Sequence, residues 1–224
     1  TNFVDAYDWL ARTHSAMGEL EKSQQVLTKA VAVSPHAVRR LRTLGEVAFE
    51  AGDNDTAEKV LKQVVQKAKY SEFRDPEDHV KLVRTLVKKG DPVAAASVIR
   101  ELDRSMGGRQ HADACSAISS ALLHEYTGNE ERLAQALTAA VAASQDIPAM
   151  SSDLKLELAR SCLDHNMAEG AASIVRDVMR NASDATAMDR AMSVMAQAGQ
   201  AELGASLAQE ARQQIGRASC RERV

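Results

Sequence analysis

Histidine and cysteine are the residues of this 224-residue chain best suited to metal binding or nucleophilic catalysis. A zinc site requires such ligands in closely spaced pairs. The histidines form no HxxxH or HxxEH pair and the cysteines form no CxxC pair. A catalytic thiol also needs a neighbouring base, and the sequence indicates none for Cys115 or Cys162. We therefore predict no metal site, no cofactor and no catalytic residue.

Glycine-rich loops that hold phosphate groups are the second chemical feature to consider. The motifs GxxxxGK[ST] and GxGxxG work when they follow a β-strand, and no strand pattern is present. The only paired glycines, Gly107 and Gly108, are interpreted as a linker. These observations favour a protein that is not an enzyme.

Composition narrows the class of partner. The formal net charge is −3, which argues against general nucleic-acid binding, because such domains are usually basic. No apolar run approaches the roughly 20 residues that span a bilayer. The absence of a closely spaced cysteine framework favours a reducing compartment, so a cytoplasmic protein is predicted.

The last ten residues, IGRASCRERV, have an unusual origin. Their amino-acid sequence matches the translation of a common short-read sequencing adapter. We therefore predict that residues 215–224 are a non-native tail and exclude them from the interpretation of the fold. The absence of an initiator methionine leads to the further expectation that the native chain begins upstream of Thr1.

Residues that break helices recur at a nearly constant interval along the rest of the chain. The turn residues are Gly18, Gly52, Gly90, Gly128, Asn166 and Gly199. Apolar residues with helical spacing lie on both sides of each of them. Two helices of this length cannot bury their apolar stripes alone, so neighbouring pairs are expected to stack. The spacing predicts about six helix-turn-helix repeats.

The first repeat shows the full pattern, VDAYDWLARTHSAMGELEKSQQVLTKAVAVSP, from Val4 to Pro35. It has a large residue, a Leu-small pair, glycine at the turn, and proline at the end. This pattern resembles the tetratricopeptide repeat (TPR). The resemblance implies an all-α fold, a right-handed superhelical α-solenoid. We predict repeats 1–3 in residues 1–106 and degenerate repeats 4–6 in residues 107–214.

A short insertion, KYSEFRD, separates the second and third repeats. It contains two of the few aromatic residues of the chain, Tyr70 and Phe73. We interpret both as filling the gap between these repeats. An exposed binding loop is the alternative.

In the TPR family, defined positions of the first helix of each repeat line a concave groove that binds partners. Carried over to this chain, the resemblance implies a groove of mixed charge with apolar anchors at Phe49, Val80, Ile118 and Leu122. Such a groove suits an extended peptide or a helix of a protein partner. The remaining candidate residues are Asp8, Arg12, Arg39, Arg42, Glu46, Arg84 and Lys88.

The identities of Asp8 and Arg12 exclude one subtype. TPR domains that clamp a carboxylate carry lysine and asparagine at these places, and an aspartate would repel that group.

The run from Leu41 to Asp91 also resembles the repeat region of proteobacterial response regulators, which implies an output region of a signalling protein. A substrate-recruiting arm of a larger enzyme and a self-associating scaffold are the alternatives. The oligomeric state is left open.

Overall fold

A computed structural model describes residues 4–181, 185–197, 199–202 and 204–209, and these residues are helical with connecting turns and contain no β-strand. The predicted all-α solenoid is confirmed. No helix in this part of the chain is long and apolar enough to cross a membrane. The helices are α1 Val4–Ala16, α2 Leu20–Val33, α3 Val38–Glu50, α4 Asn54–Ala68, α5 Glu77–Lys88, α6 Pro92–Met106, α7 Gln110–Thr127, α8 Glu130–Ala143, α9 Ser152–Asp164, α10 Ala168–Asn181 and α11 Ala185–Gln197. Residues 201–202 and 204–209 are also helical.

The predicted turn residues separate the two helices of each pair. All five turn glycines have a positive φ, and Asn166 adopts the same left-handed conformation at φ 60°. Glycine tolerates this conformation because it has no Cβ, and asparagine is the next most tolerant residue. Side chains then cap the helices that follow, since Asp53 accepts a hydrogen bond from the Thr56 amide and Asn129 from the Arg132 amide.

The chain divides into two compact units. Unit 1 contains residues 1–106 and 125–128. Within it, the pairs α1–α2, α3–α4 and α5–α6 pack as hairpins, while α2 also packs on α3 and α4 on α5. Leucines at helical spacing, including Leu27, Leu41 and Leu61, are almost fully buried between these helices.

Unit 2 contains residues 107–124 and the chain from residue 129 onward. Here α8 packs on α9, α9 on α10, and α10 on α11. The core includes Leu137, Ile174, Met179 and Met195. The predicted second helix of repeat 6 is helical at the buried Leu207, whereas Ala211 and the predicted tail, residues 215–224, lie outside the described residues.

The insertion between repeats differs in part from the prediction. Phe73 is half-buried and packs against the core cluster of unit 1. Tyr70, in contrast, is 91% exposed, so the prediction that it fills the gap between repeats is wrong. It lies just after the end of α4, and Lys69 contacts its ring from 5.7 Å.

Gly45 of α3 lies directly against the side chain of Leu61 of α4. A Cβ built at this position would lie 2.8 Å from both Cγ and Cδ2 of Leu61. In an open helix, Gly→Ala raises stability by about 1 kcal/mol. At Gly45 we expect the opposite sign, a loss of about 1–3 kcal/mol in the free energy of unfolding, because the branched Leu61 side chain is overpacked. Urea denaturation of Gly45→Ala measures the change.

A double-mutant cycle separates this clash from other effects. Leu61→Ala removes the atoms that a new Cβ would meet. The Gly45→Ala/Leu61→Ala pair should therefore lose less stability than the sum of the two single changes. Additive losses would show that the two residues do not clash.

The two described cysteines, Cys115 and Cys162, do not form a disulfide and are fully buried. Burial raises the pKa of the Cys162 thiol to about 11. The third cysteine, Cys220, belongs to the predicted tail and is replaced by serine for this test. Since the thiolate is the reactive form, we expect neither Cys115 nor Cys162 of the Cys220→Ser variant to react with a water-soluble disulfide reagent at neutral pH until the protein is unfolded. Rapid labelling of the native variant would contradict this expectation.

Candidate functional site

A cavity of about 710 Å³ opens beside α1 and α3 in unit 1. Its wall combines charged side chains from both helices with one aromatic ring from the insertion. Asp8, Arg12 and Arg39, three of the residues predicted for the groove, lie together in this wall. The complete lining is Asp5, Asp8, Arg12, Leu27, His36, Ala37, Val38, Arg39, Arg40, Thr43, Glu72 and Phe73.

One charge pair forms a fixed part of the wall. The Arg40 guanidinium donates from Nε to Asp8 Oδ1 and from Nη2 to Asp8 Oδ2, each at 2.9 Å. These hydrogen bonds raise the pKa of Arg40. Arg40 also lies 3.5 Å from Asp5. The charge of Arg40 is therefore compensated within the protein, and both oxygens of Asp8 are occupied.

Two other arginines of the cavity differ from Arg40. Arg12 and Arg39 are exposed, and their guanidinium carbons lie 5.4 Å from the Trp9 ring centroid and 5.1 Å from that of Phe73, respectively. Neither forms an ion pair with any carboxylate in the described part of the chain. Stacking holds each guanidinium in place while its donors stay free for a ligand.

The position of Phe73 depends on a buried ion pair. Arg42 donates from Nε to Asp78 Oδ1 at 2.6 Å and from Nη2 to Asp78 Oδ2 at 2.7 Å. The same Nη2 donates to the Phe73 carbonyl at 3.0 Å. Hydrogen bonding to Asp78 raises the pKa of Arg42, and burial raises the pKa of Asp78 although Arg42 opposes that effect. Arg42, predicted to bind a partner, instead fixes the insertion.

Several predicted groove residues connect neighbouring helices. Glu46 forms an ion pair with Lys81, which joins α3 to α5. The Lys88 ammonium lies 4.5 Å from the Phe49 ring centroid, which joins the same two helices. The remaining predicted arginine, Arg84, is half-buried.

Two predicted anchors are wrong. Val80 is 1% exposed because the whole first turn of α5 is buried. Ile118 is 5% exposed because the buried residues of α7 are not confined to one face of the helix. Neither can present an apolar side chain to a partner. Leu122 is half-buried in unit 2.

Sequence reasoning missed the parts of the cavity that lie outside the usual groove positions, among them His36, Arg40 and Phe73. One signal could have found Arg40. Asp8 and Arg40 are 32 residues apart, close to the repeat period, and Arg42 and Asp78 are 36 apart with their charges in the opposite order. Opposite charges at this interval indicate ion pairs between the first helices of successive repeats.

Comparisons with known proteins give a consistent result for the fold. Residues 4–36 match the family model described as tetratricopeptide repeat. No curated protein matches the chain in sequence.

Three solved structures illustrate the similarity in fold. A thermophilic TPR protein of Thermus thermophilus has a TM-score of 0.55 at 17% identity, covering 86% of this chain and 98% of that one. A tetratricopeptide repeat protein of Parabacteroides merdae has a TM-score of 0.54 at 11% identity, covering 94% and 78%. PilW, a type IV pilus biogenesis factor, has a TM-score of 0.51 at 14% identity, covering 96% and 93%.

The helix pairs, the turn conformations and these similarities agree with one another. The chain carries a tetratricopeptide repeat at residues 4–36 and has the fold of the solved TPR proteins.

Proposed function

We propose that this protein is a non-catalytic scaffold for protein–protein interaction, and that the cavity beside α1 and α3 binds a segment of a partner protein. The observation that carries this proposal is the pair of stacked guanidinium groups, Arg12 and Arg39, which line one open cavity and lack carboxylate partners among the described residues.

The chemistry of the wall defines the ligand. Arg12 and Arg39 supply planar donors that suit acidic side chains of the partner. Phe73 supplies apolar area, and the fixed Arg40–Asp8 pair supplies little further attraction because it is already neutralised. A peptide that combines acidic and apolar residues fits this wall best.

Selection of ligands from a displayed library of random peptides, followed by affinity measurement, tests the proposal. We expect Arg12→Glu/Arg39→Glu to weaken binding of the selected peptides by about 10- to 100-fold. The matched control is Arg100→Glu/Arg104→Glu, which reverses the same number of charges on α6, outside the cavity. The cavity would be contradicted as the binding site if both variants lost binding to the same extent, or if neither variant lost binding.

The wider biological context rests on sequence alone. The resemblance of residues 41–91 to response-regulator repeats favours an output region of a cytoplasmic signalling protein, and none of the comparisons adds to it. Sequencing of the native gene upstream of Thr1 tests it, since a receiver domain in frame is expected there.

A further inference from the structure

A much smaller cavity lies where the insertion meets α4, α5 and α6 in unit 1. Its volume is about 20 Å³, which is room for about one water molecule. Bulk water therefore cannot hydrate a charge that forms there. We call this cavity the α5 pocket, and its lining is Val65, Ala68, Lys69, Arg74, Asp75, Asp78, His79, Glu101 and Ser105. It shares no lining residue with the cavity beside α1 and α3.

His79 is buried in the α5 pocket without a partner for one of its ring nitrogens. The residue is 5% exposed, and its Nδ1 has no hydrogen-bond partner in the part of the chain that the structure describes. A neutral imidazole can leave this nitrogen as an unpaired acceptor, whereas both nitrogens of the protonated ring are donors. Protonation would therefore bury a charge together with an unsatisfied N–H group, and such burial is costly.

Two of the acidic side chains around the α5 pocket already have cationic partners. Glu101 forms ion pairs with Lys69 at 3.3 Å and with Arg104 at 3.1 Å. The carboxylate of Asp78 accepts hydrogen bonds from Arg42 at 2.6 and 2.7 Å. These two carboxylates are therefore largely neutralised before any charge forms on the histidine ring.

The two remaining charged groups of the pocket act against each other. Arg74 would repel a positive charge on His79, whereas Asp75 would attract it. Burial lowers the pKa of His79, and Arg74 lowers it further, although Glu101 and Asp75 oppose that effect. The packed form of the insertion therefore holds the His79 ring neutral.

We propose that His79 is an acid-sensitive anchor of the insertion, and that protonation of its ring favours a form in which residues 69–79 separate from α4 and α6. Phe73 lies within this segment and supplies the aromatic ring of the larger cavity. The open form therefore lacks that ring. Because the opening needs no ligand, the inference goes beyond the proposed function and does not rest on it.

The direction of the pH effect follows from the two forms of the segment. In the open form the His79 ring is in water and has the ordinary pKa of about 6.5. The packed form holds the ring neutral, so the open form binds more protons as the pH falls below that value. The opening equilibrium constant should therefore rise by about 5- to 10-fold between pH 7.5 and pH 5.5.

Amide hydrogen exchange of the full chain, followed by NMR and corrected for the intrinsic effect of pH, measures this opening. The amides of Arg74, Asp78 and His79 donate to backbone carbonyls within the segment and serve as the probes. We expect their protection factors to fall about 5- to 10-fold from pH 7.5 to pH 5.5. At both pH values they should be at least about tenfold lower than those of buried amides in α2, because the opening is local.

A pair of variants assigns the effect to one histidine. His79→Gln keeps a polar side chain that cannot be protonated, so the same protection factors should change by less than about twofold between the two pH values. The matched control is His36→Gln, which removes an exposed histidine of unit 1 and should keep the response of the unchanged chain. A full response in His79→Gln would assign the effect to the neighbouring carboxylates and overturn the proposal.

Two measurements on the unchanged chain test the proposal even if His79→Gln does not fold. The NMR signals of the His79 ring should remain those of the neutral form at pH 5.5. A ring that becomes protonated by pH 6 while the probe amides keep their protection would overturn the proposal. Probe amides that are as strongly protected as those of α2 would also overturn it, because the segment would then open only when unit 1 unfolds.

Discussion

Replacement of Lys155 by methionine is expected to lower the free energy of unfolding of unit 2 by about 3–5 kcal/mol. Lys155 is 3% exposed, and its ammonium donates to Asp177 at 2.6 Å and to the Ile147 carbonyl at 2.8 Å. The substitution keeps the volume but leaves the Asp177 carboxylate buried without its cation. It also leaves the Ile147 carbonyl, in the connection between α8 and α9, without this donor.

Urea denaturation monitored by circular dichroism measures the loss, and two variants test its cause. Lys155→Met/Asp177→Leu should recover most of the stability, because no uncompensated charge remains. Arg190→Met, which breaks the exposed pair with Asp153, should cost less than about 1 kcal/mol. A loss below about 1 kcal/mol for Lys155→Met itself would contradict a buried ion pair.

The second large effect is expected for Arg42→Met, which should lose about 3–5 kcal/mol of stability and also lose binding in the cavity. Asp78, whose side chain is 1% exposed, is then buried without a cation. The Phe73 carbonyl loses the donor that fixes the insertion, so the aromatic ring no longer holds its place beside Arg39.

This behaviour differs from that of the proposed binding residues. Arg39→Glu changes an exposed side chain and should alter stability by no more than about 0.5 kcal/mol while weakening binding. Arg42→Met/Asp78→Leu should recover stability without restoring binding, because Phe73 remains unfixed. Denaturation and peptide affinity, measured on the same preparations, separate the two roles. An Arg42→Met protein of unchanged stability would show that the pair is not structural.

The fold was predictable because its signals are local. A positive φ at a tight turn favours glycine or asparagine, so the six turn residues identified the helix pairs directly. Apolar spacing then identified the buried side of each helix. Tyr70 was mispredicted because aromatic character alone does not show on which side of an irregular segment a ring lies.

The site was less predictable because equivalent positions have different surroundings. Asp8, Arg42 and Val80 occupy the same place in three successive repeats. Asp8 lines the cavity, Arg42 is tied to Asp78, and Val80 is buried. A repeat pattern identifies the helix face, but the neighbours across that face depend on the next repeat. The insertion of residues 69–75 changes the interval between the second and third repeats, and no local sequence signal shows which residues then become neighbours.

Amide hydrogen exchange, with and without a selected peptide, tests the central claim most directly. The account predicts that the peptide protects segments 5–12, 36–43 and 72–73, which line the cavity, and leaves α6 unchanged. Protection confined to α6 or to the exposed side of α2 around Gln25, with the cavity segments unaffected, would contradict the cavity as the place where this scaffold binds its partner.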